Sequence, residues 1–347
     1  MPTRTLVLIV MTLVVAIACA PAENQIATTA QTPPTMDLWN EASIRFKPLP
    51  TEAVNPDNPF TEAKVELGKS LYYDTRLSKD GNISCNSCHD LATFGVDNKP
   101  TSDGDDGGKG DRNSPTVLNA ALHQTQFWDG RAKDVEEQAG MPILNPVEMA
   151  IPSEEFLVDR LAATEGYPPL FAAAFADEAE PLTYLNIQNA LAAFERTLIT
   201  PSRFDAYLEG DHDALTQEEQ VGLEKFIRLG CTTCHNGVNI GAYSFQKFGL
   251  FGDYWEHTGS EKVDEGRYAV TENEADRFVF RVASLRNVAE TAPYFHDGSV
   301  ETLEGAIRVM VAVQLAIDLR DEEVESLAAF LRSLSGEVPV EALQSAG

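Results

Sequence analysis

Apolar positions along the chain fall at helical spacing in two matched pairs of segments. Val324, Leu327, Ala328 and Leu331 recur at i, i+3, i+4 and i+7, which puts them on one face of a helix. Ile187, Leu191, Phe194 and Leu198 make the corresponding stripe in the first half, and Leu191-Ala-Ala-Phe-Glu-Arg-Thr-Leu198 parallels Leu327-Ala-Ala-Phe-Leu-Arg-Ser-Leu334. An earlier helix is predicted ahead of each: Val65, Leu67 and Leu71 mark one, and Leu223, Phe226 and Ile227 the other. The second of these has both ends written into it, with a Thr216-x-x-Glu219 capping box and Gly230 as its stop. The same order of elements twice over predicts an internal duplication. A first domain is expected over residues 46–200 and a second over 201–340, joined near residues 200–210.

Between the helices of each pair lies the same short motif, Cys85-Asn-Ser-Cys88-His89 and Cys231-Thr-Thr-Cys234-His235. Two thiols at this spacing add across the vinyl groups of a haem, and the adjacent histidine turns its ring onto the iron. A zinc knuckle or a thiol–disulfide pair needs no histidine directly after the second cysteine, and neither explains its appearing twice. The expected fold is therefore mainly α, with two cytochrome c-like domains each carrying one covalent haem c.

The chain has five cysteines, and these motifs use four. The fifth, Cys19, follows a basic Arg4 and an almost wholly apolar run to Ala18, the pattern of a signal peptide over residues 1–18. Ala16-Ile-Ala-Cys19 resembles a bacterial lipobox, which makes Cys19 a candidate lipidation site and the protein periplasmic, anchored by lipid. The Thr-, Ala-, Pro- and Gln-rich stretch that follows suits a flexible tether over residues 19–45. A formal net charge of −28 disfavours nucleic acid and anionic membrane as partners and suits a basic redox protein.

The two motifs differ in their surroundings. Met310 stands after the second motif and before the final helix, where a cytochrome c domain supplies a methionine to the iron. The first half has no such obvious ligand; its candidates are His123, Met141 and Met149, of which the methionines better suit core gaps and the histidine a structural role. Nearby in sequence stand Trp128, Gln138 and Glu148, a group fit for peroxide chemistry.

From Asn55 to Gly336 the chain closely resembles the bacterial di-haem cytochrome c peroxidases. The landmarks are Arg112-Asn-Ser-Pro-Thr116, Gln126-Phe-Trp-Asp-Gly-Arg131, Pro142-Ile-Leu-Asn-Pro-Val-Glu-Met149, Leu285-Arg-Asn-Val288 and Thr291-Ala-Pro-Tyr-Phe-His296, beside the two haem motifs. The resemblance implies a peroxidatic haem at His89 and a high-potential electron-storing haem at His235 and Met310. It implies Glu148 as the acid–base residue, Gln138 as the group orienting peroxide, and Trp128 between the haems. It also implies calcium held by the Asn113 side chain and the main-chain oxygens of Thr291 and Pro293, a small cytochrome c or cupredoxin as donor, and a homodimer. Many family members carry a histidine in the loop before Arg112 that caps the first haem at rest. Here Asp105 falls at that place, so the expectation is activity without prior reduction, unless another residue such as His123 caps the haem. Two other classes remain open: a di-haem electron carrier, and a protein-oxidising di-haem enzyme of the methylamine-utilisation type, which has tyrosine where Met310 stands.

Overall fold

The computed structural model describes residues 36–343, so the expected signal segment and Cys19 lie outside the described residues. The described chain is mainly helical, with one two-stranded antiparallel sheet that pairs Phe245–Lys247 with Val279–Arg281. The first half is built on the helices Glu62–Tyr73, Val135–Leu144 and Tyr184–Glu195, and the second on Gln217–Arg228, Leu303–Leu315 and Asp321–Arg332. Each half has its own apolar core. The predicted stripes are the buried faces: Ile187, Leu191, Phe194 and Leu198 in one half, and Val324, Leu327, Ala328 and Leu331 in the other. The capping box also forms, with Glu219 N donating to Thr216 Oγ1 at 3.3 Å and Thr216 N to Glu219 Oε2 at 2.8 Å.

Duplication reaches the packing itself. The helix before each motif crosses the later helix of its half at a glycine. A Cβ on Gly68 would sit 1.9 Å from the carbonyl oxygen of Ala190, and one on Gly222 would sit 1.9 Å from that of Ser326. Ala190 and Ser326 are themselves paired by the sequence repeat, as are Phe194 and Phe330, whose Cβ atoms are the other close neighbours. The halves are joined at a buried polar knot. Asn119 and Asn287 both hold left-handed backbone, and each donates its main-chain N–H to the carbonyl of an equivalent leucine, Leu198 at 2.9 Å and Leu334 at 3.1 Å. Their side-chain amides converge on one hydroxyl, that of Thr200, at 2.8 Å from each side.

Two expectations need correcting. The tether does not extend to residue 45, because Met36–Arg45 is a helix. Leu38, Ala42 and Phe46 fall at i, i+4 and i+8 and bury against Phe204, Tyr207 and Phe226, and Trp39 Nε1 donates to Tyr207 O at 2.9 Å. The polar composition of the surrounding window hides this stripe. The domains are also not contiguous blocks. The 36–45 helix precedes the first half but packs in the core of the second. At the other end, Val338 and Ala342 pack in the core of the first, where Tyr73 Oη donates to Ala342 O at 2.8 Å.

Substituting Gly68 by alanine tests the crossing. Helix propensity alone favours the change by about 1 kcal/mol. The backbone contact has no flexible group to move, and overpacking of about 1–3 kcal/mol should dominate. A lowered urea midpoint with an unchanged m-value is the expected result; a raised midpoint would show that the helices separate freely.

Candidate active site

The first motif opens into a cavity of about 1480 Å³. Cys85, Cys88 and His89 line it together with Trp128, Gln138 and Glu148, so residues spread over more than sixty positions of sequence share one chamber. Gln138 is carried by the Val135–Leu144 helix, whose seat is fixed by the adjacent Glu136. Arg196 grips that carboxylate at 2.8 and 2.6 Å in a buried pair, and Asn55 and Asn58 donate to it as well. Burial raises the Glu148 carboxyl above the ordinary glutamate range, while Arg131 and the Asn145 side chain work against the shift. Glu195, on the Tyr184–Glu195 helix, also lines the cavity and is pushed up to about 8 by burial and by the charge of Glu136, so it is largely protonated at neutral pH.

The loop over residues 101–111 is pinned to this wall. Asp105 N donates to Glu148 O at 2.7 Å, and both carboxylate oxygens of Asp105 accept from Asp80 N at 3.2 and 3.1 Å. Asp105 is only 5% exposed and does not line the cavity; its charge is turned into the main chain behind the loop. His123 is not a lining residue either, and the expectation that it might cap the first haem has no support in the geometry. Met149 is a buried core residue that also reaches the cavity wall, as expected of a gap-filler. Met141, by contrast, is exposed rather than filling the core, because its helix turns that position outward.

Around the second motif, His235 Nδ1 meets the carbonyl of Ile240 at 3.2 Å, which fixes the ring and leaves Nε2 for a metal. Burial lowers His235 to about 4 and shifts His89 in the same direction, so both rings are neutral at pH 7, as an iron ligand must be. Met310 sits half-buried on the Leu303–Leu315 helix, in a small cluster with Phe248 that Trp128 also joins. None of the four motif cysteines forms a disulfide, and burial raises the thiols, Cys231 to about 11. That is opposite to the depressed thiol of a redox pair. Among the described residues no cluster of three or more His, Cys, Asp or Glu is arranged to hold a metal ion.

Several buried polar atoms lack a protein partner: His89 Nδ1 and Asp97 Oδ2 in the first half, and both amide atoms of Asn239, a residue with 0% exposure, in the second. Of these, His89 lines the large cavity, and an orphan there suits a bound group. The cavity and its donor set therefore fit a haem held by Cys85, Cys88 and His89, and the matching donors Cys231, Cys234 and His235 fit a second.

Structure also exposes what the sequence reading missed. The hairpin bridged by Gln126 and Ala132 has a mate bridged by Tyr294 and Val300, so Gln126-Phe-Trp-Asp-Gly-Arg131 pairs with Tyr294-Phe-His-Asp-Gly-Ser299. Phe127 and Phe295 share positive φ angles of 66° and 72°. Trp128 and His296 are thus related by the repeat, and their rings meet edge-on at 6.4 Å. The shared Phe-x-Asp-Gly would have been the signal. Arg112 crosses between halves here, bonding Asp129 at 2.5 Å and Asp264 at 2.6 and 2.9 Å.

A family model described as di-haem cytochrome c peroxidase matches residues 62–213. The cytochrome c551 peroxidase of Pseudomonas aeruginosa is 45% identical over 304 residues, covering 87% of each chain. The chain belongs to the di-haem cytochrome c peroxidase family. That of Nitrosomonas europaea is 46% identical over 291 residues, covering 84% of each chain. Among solved structures, a MauG-like protein associated with microbial copper homeostasis superposes with a TM-score of 0.77 at 32% identity, covering 86% of this chain and 97% of that one. Membership of the family implies two haem c groups.

Replacing Cys231 and Cys234 together by alanine is expected to halve the covalently bound haem, from two per chain to one, in the alkaline pyridine spectrum. Retention of two would remove this motif from the binding site.

Proposed function

We propose that this chain is a periplasmic peroxidase that reduces hydrogen peroxide to water with electrons from a small cytochrome c or cupredoxin. The observation that carries the reading is the cavity of the first motif, which gathers Glu148 and Gln138 while Asp105 is turned away from it. Overall, one peroxide, two protons and two electrons, one from each of two donor molecules, give two waters.

A haem held by Cys85, Cys88 and His89 would supply the redox iron for peroxide reduction. Glu148 takes the proton from one peroxide oxygen and returns it to the other, the departing one. Its raised pKa suits that double duty, since a group titrating nearer to neutrality both accepts and releases a proton readily. Gln138 orients peroxide through its amide. Trp128, which donates Nε1–H to Asn113 O at 2.9 Å and packs in one cluster with Met310, bridges the storing site to the reacting one. Calcium suits the cavity wall that Asn113 and Pro293 share, with oxygen ligands from Asn113, Thr291 and Pro293. Asn113 spends its amide nitrogen on Lys99 O at 2.9 Å and its main-chain N–H on His296 O at 2.7 Å. Export through residues 1–18, a lipid on Cys19, and a homodimer belong to the same proposal. So does a donor with a basic face, suited to a chain of net charge −28.

A protein-oxidising role is the second reading, favoured by the likeness to a MauG-like structure. Met310, which stands where that class has tyrosine, weighs against it.

Three measurements bear on this. Electron paramagnetic resonance of the ferric protein should show one haem without two strong protein ligands, and peroxide should turn over without prior half-reduction; two low-spin haems and no turnover in either state would favour a pure carrier. Glu148→Gln should lower peroxide turnover by about 10²–10⁴. In the unsubstituted protein the rate should fall as pH drops through the raised pKa of Glu148, above the ~4.3 of a free glutamate, and that acid limb should be missing in Glu148→Gln.

A further inference from the structure

Arg281 is a buried cation without a carboxylate of its own. It is 4% exposed, and burial pulls its pKa down to about 10. Its Nε–H donates to Phe127 O at 3.0 Å, but Nη1 is buried with no hydrogen-bond partner. Asp129 is the carboxylate whose charge reaches it, yet that group already binds Arg112 at 2.5 Å and Arg131 at 3.0 Å. Close by, both ring nitrogens of His123 and the hydroxyl of Thr125 are likewise buried and unpartnered. The segments touch: Gln124 N donates to Ala242 O at 3.3 Å, and Ala242 N to Val282 O at 3.0 Å. The Arg281 charge is also felt at the His123 ring. A buried guanidinium facing unpaired donors describes an anion-receiving site.

The internal repeat says what lies on its far side. Asn113 N donates to His296 O at 2.7 Å, and Arg281 N donates to Trp128 O at 2.7 Å, so Asn113 and Arg281 are mates. Thr291 and Pro293 stand five and three residues ahead of His296, as His123 and Thr125 stand ahead of Trp128. In the first half, Asn113 and Pro293 line the cavity of the haem motif. By the repeat, the second-half counterpart of that wall is the pair Arg281 and Thr125. It backs onto the segment whose Ile240 carbonyl holds His235.

We propose that Arg281, with His123 and Thr125, receives the carboxylate edge of the haem attached at Cys231 and Cys234 and fixes that edge beside Trp128. This rests on the reading of that motif as the electron-storing haem site. Arg281 is a positioning residue: its main chain holds the Trp128 carbonyl, its Nε holds that of Phe127, and its free Nη1–H meets the carboxylate. A positive charge there also favours the ferrous state of this haem over the ferric one, which is the direction an electron store requires.

The test is a spectroelectrochemical titration of holoprotein variants, with covalent haem counted by the pyridine spectrum. In Arg281→Gln the ratio of reduced to oxidised second haem at a fixed poise should fall about tenfold, equivalent to about 59 mV for a one-electron couple. The first haem should move less, and Arg281→Lys should recover most of the shift. If Arg281→Gln does not accumulate, His123→Asn and Thr125→Val carry the same readout, with a smaller shift confined to the second haem. An unchanged second potential, or an equal shift of both haems, overturns the proposal. Absence of covalent haem at Cys231 and Cys234 in the unsubstituted protein would instead overturn the reading beneath it.

Discussion

One hydroxyl organises the molecule. Thr200 Oγ1 accepts from Asn119 and from Asn287, each at 2.8 Å, in a place with no access to water. A buried amide left without its partner costs about 1–3 kcal/mol, so both asparagines are held to this point. Each is the hinge of its half: its main chain is tied to the end of the later helix, and the hairpin bearing Trp128 or His296 follows within ten residues. Fixing the two asparagines on one atom brings the two hairpins face to face. The contact of Trp128 with His296 follows from that join.

Within this near-symmetric frame the two halves carry different chemistry. The first half places a carboxyl of raised pKa and an amide over its motif and pins its covering loop backward through Asp105. The second half offers Met310 on a helix and a cation without a counter-ion. Duplication supplied two matching frames; single residues at matched positions, such as Asn113 and Arg281, make them unequal.

Much of the fold was legible because its signals are local. The stripes at 187–198 and 324–331, the capping box at Thr216 and both Cys-x-x-Cys-His motifs lie within short windows, and the structure bears out the helices they predict. The gathering of Trp128, Gln138 and Glu148 with the first motif was expected from the family resemblance, which carries tertiary information that spacing does not. What stayed hidden depends on distant partners. That Asp105 faces Asp80 rather than the cavity, that Arg281 lacks a carboxylate of its own, and that its charge reaches His123 are properties of assembled surfaces. The 36–45 helix was missed because its apolar stripe has only three members, and its partners come about 160–190 residues later.

That helix and the last turn of the described chain form an exchange of straps. Residues at the start of the described chain complete the second core, and residues near its end complete the first. Such closures join residues far apart in the sequence, and contacts of that kind are slow to form. A chain emerging from its N-terminus leaves one edge of the first core unfinished, with Tyr73 still waiting for Ala342, until nearly the whole polypeptide has appeared. The edge of the first core beside Tyr73 is therefore finished only after the second pair of thiols has been made.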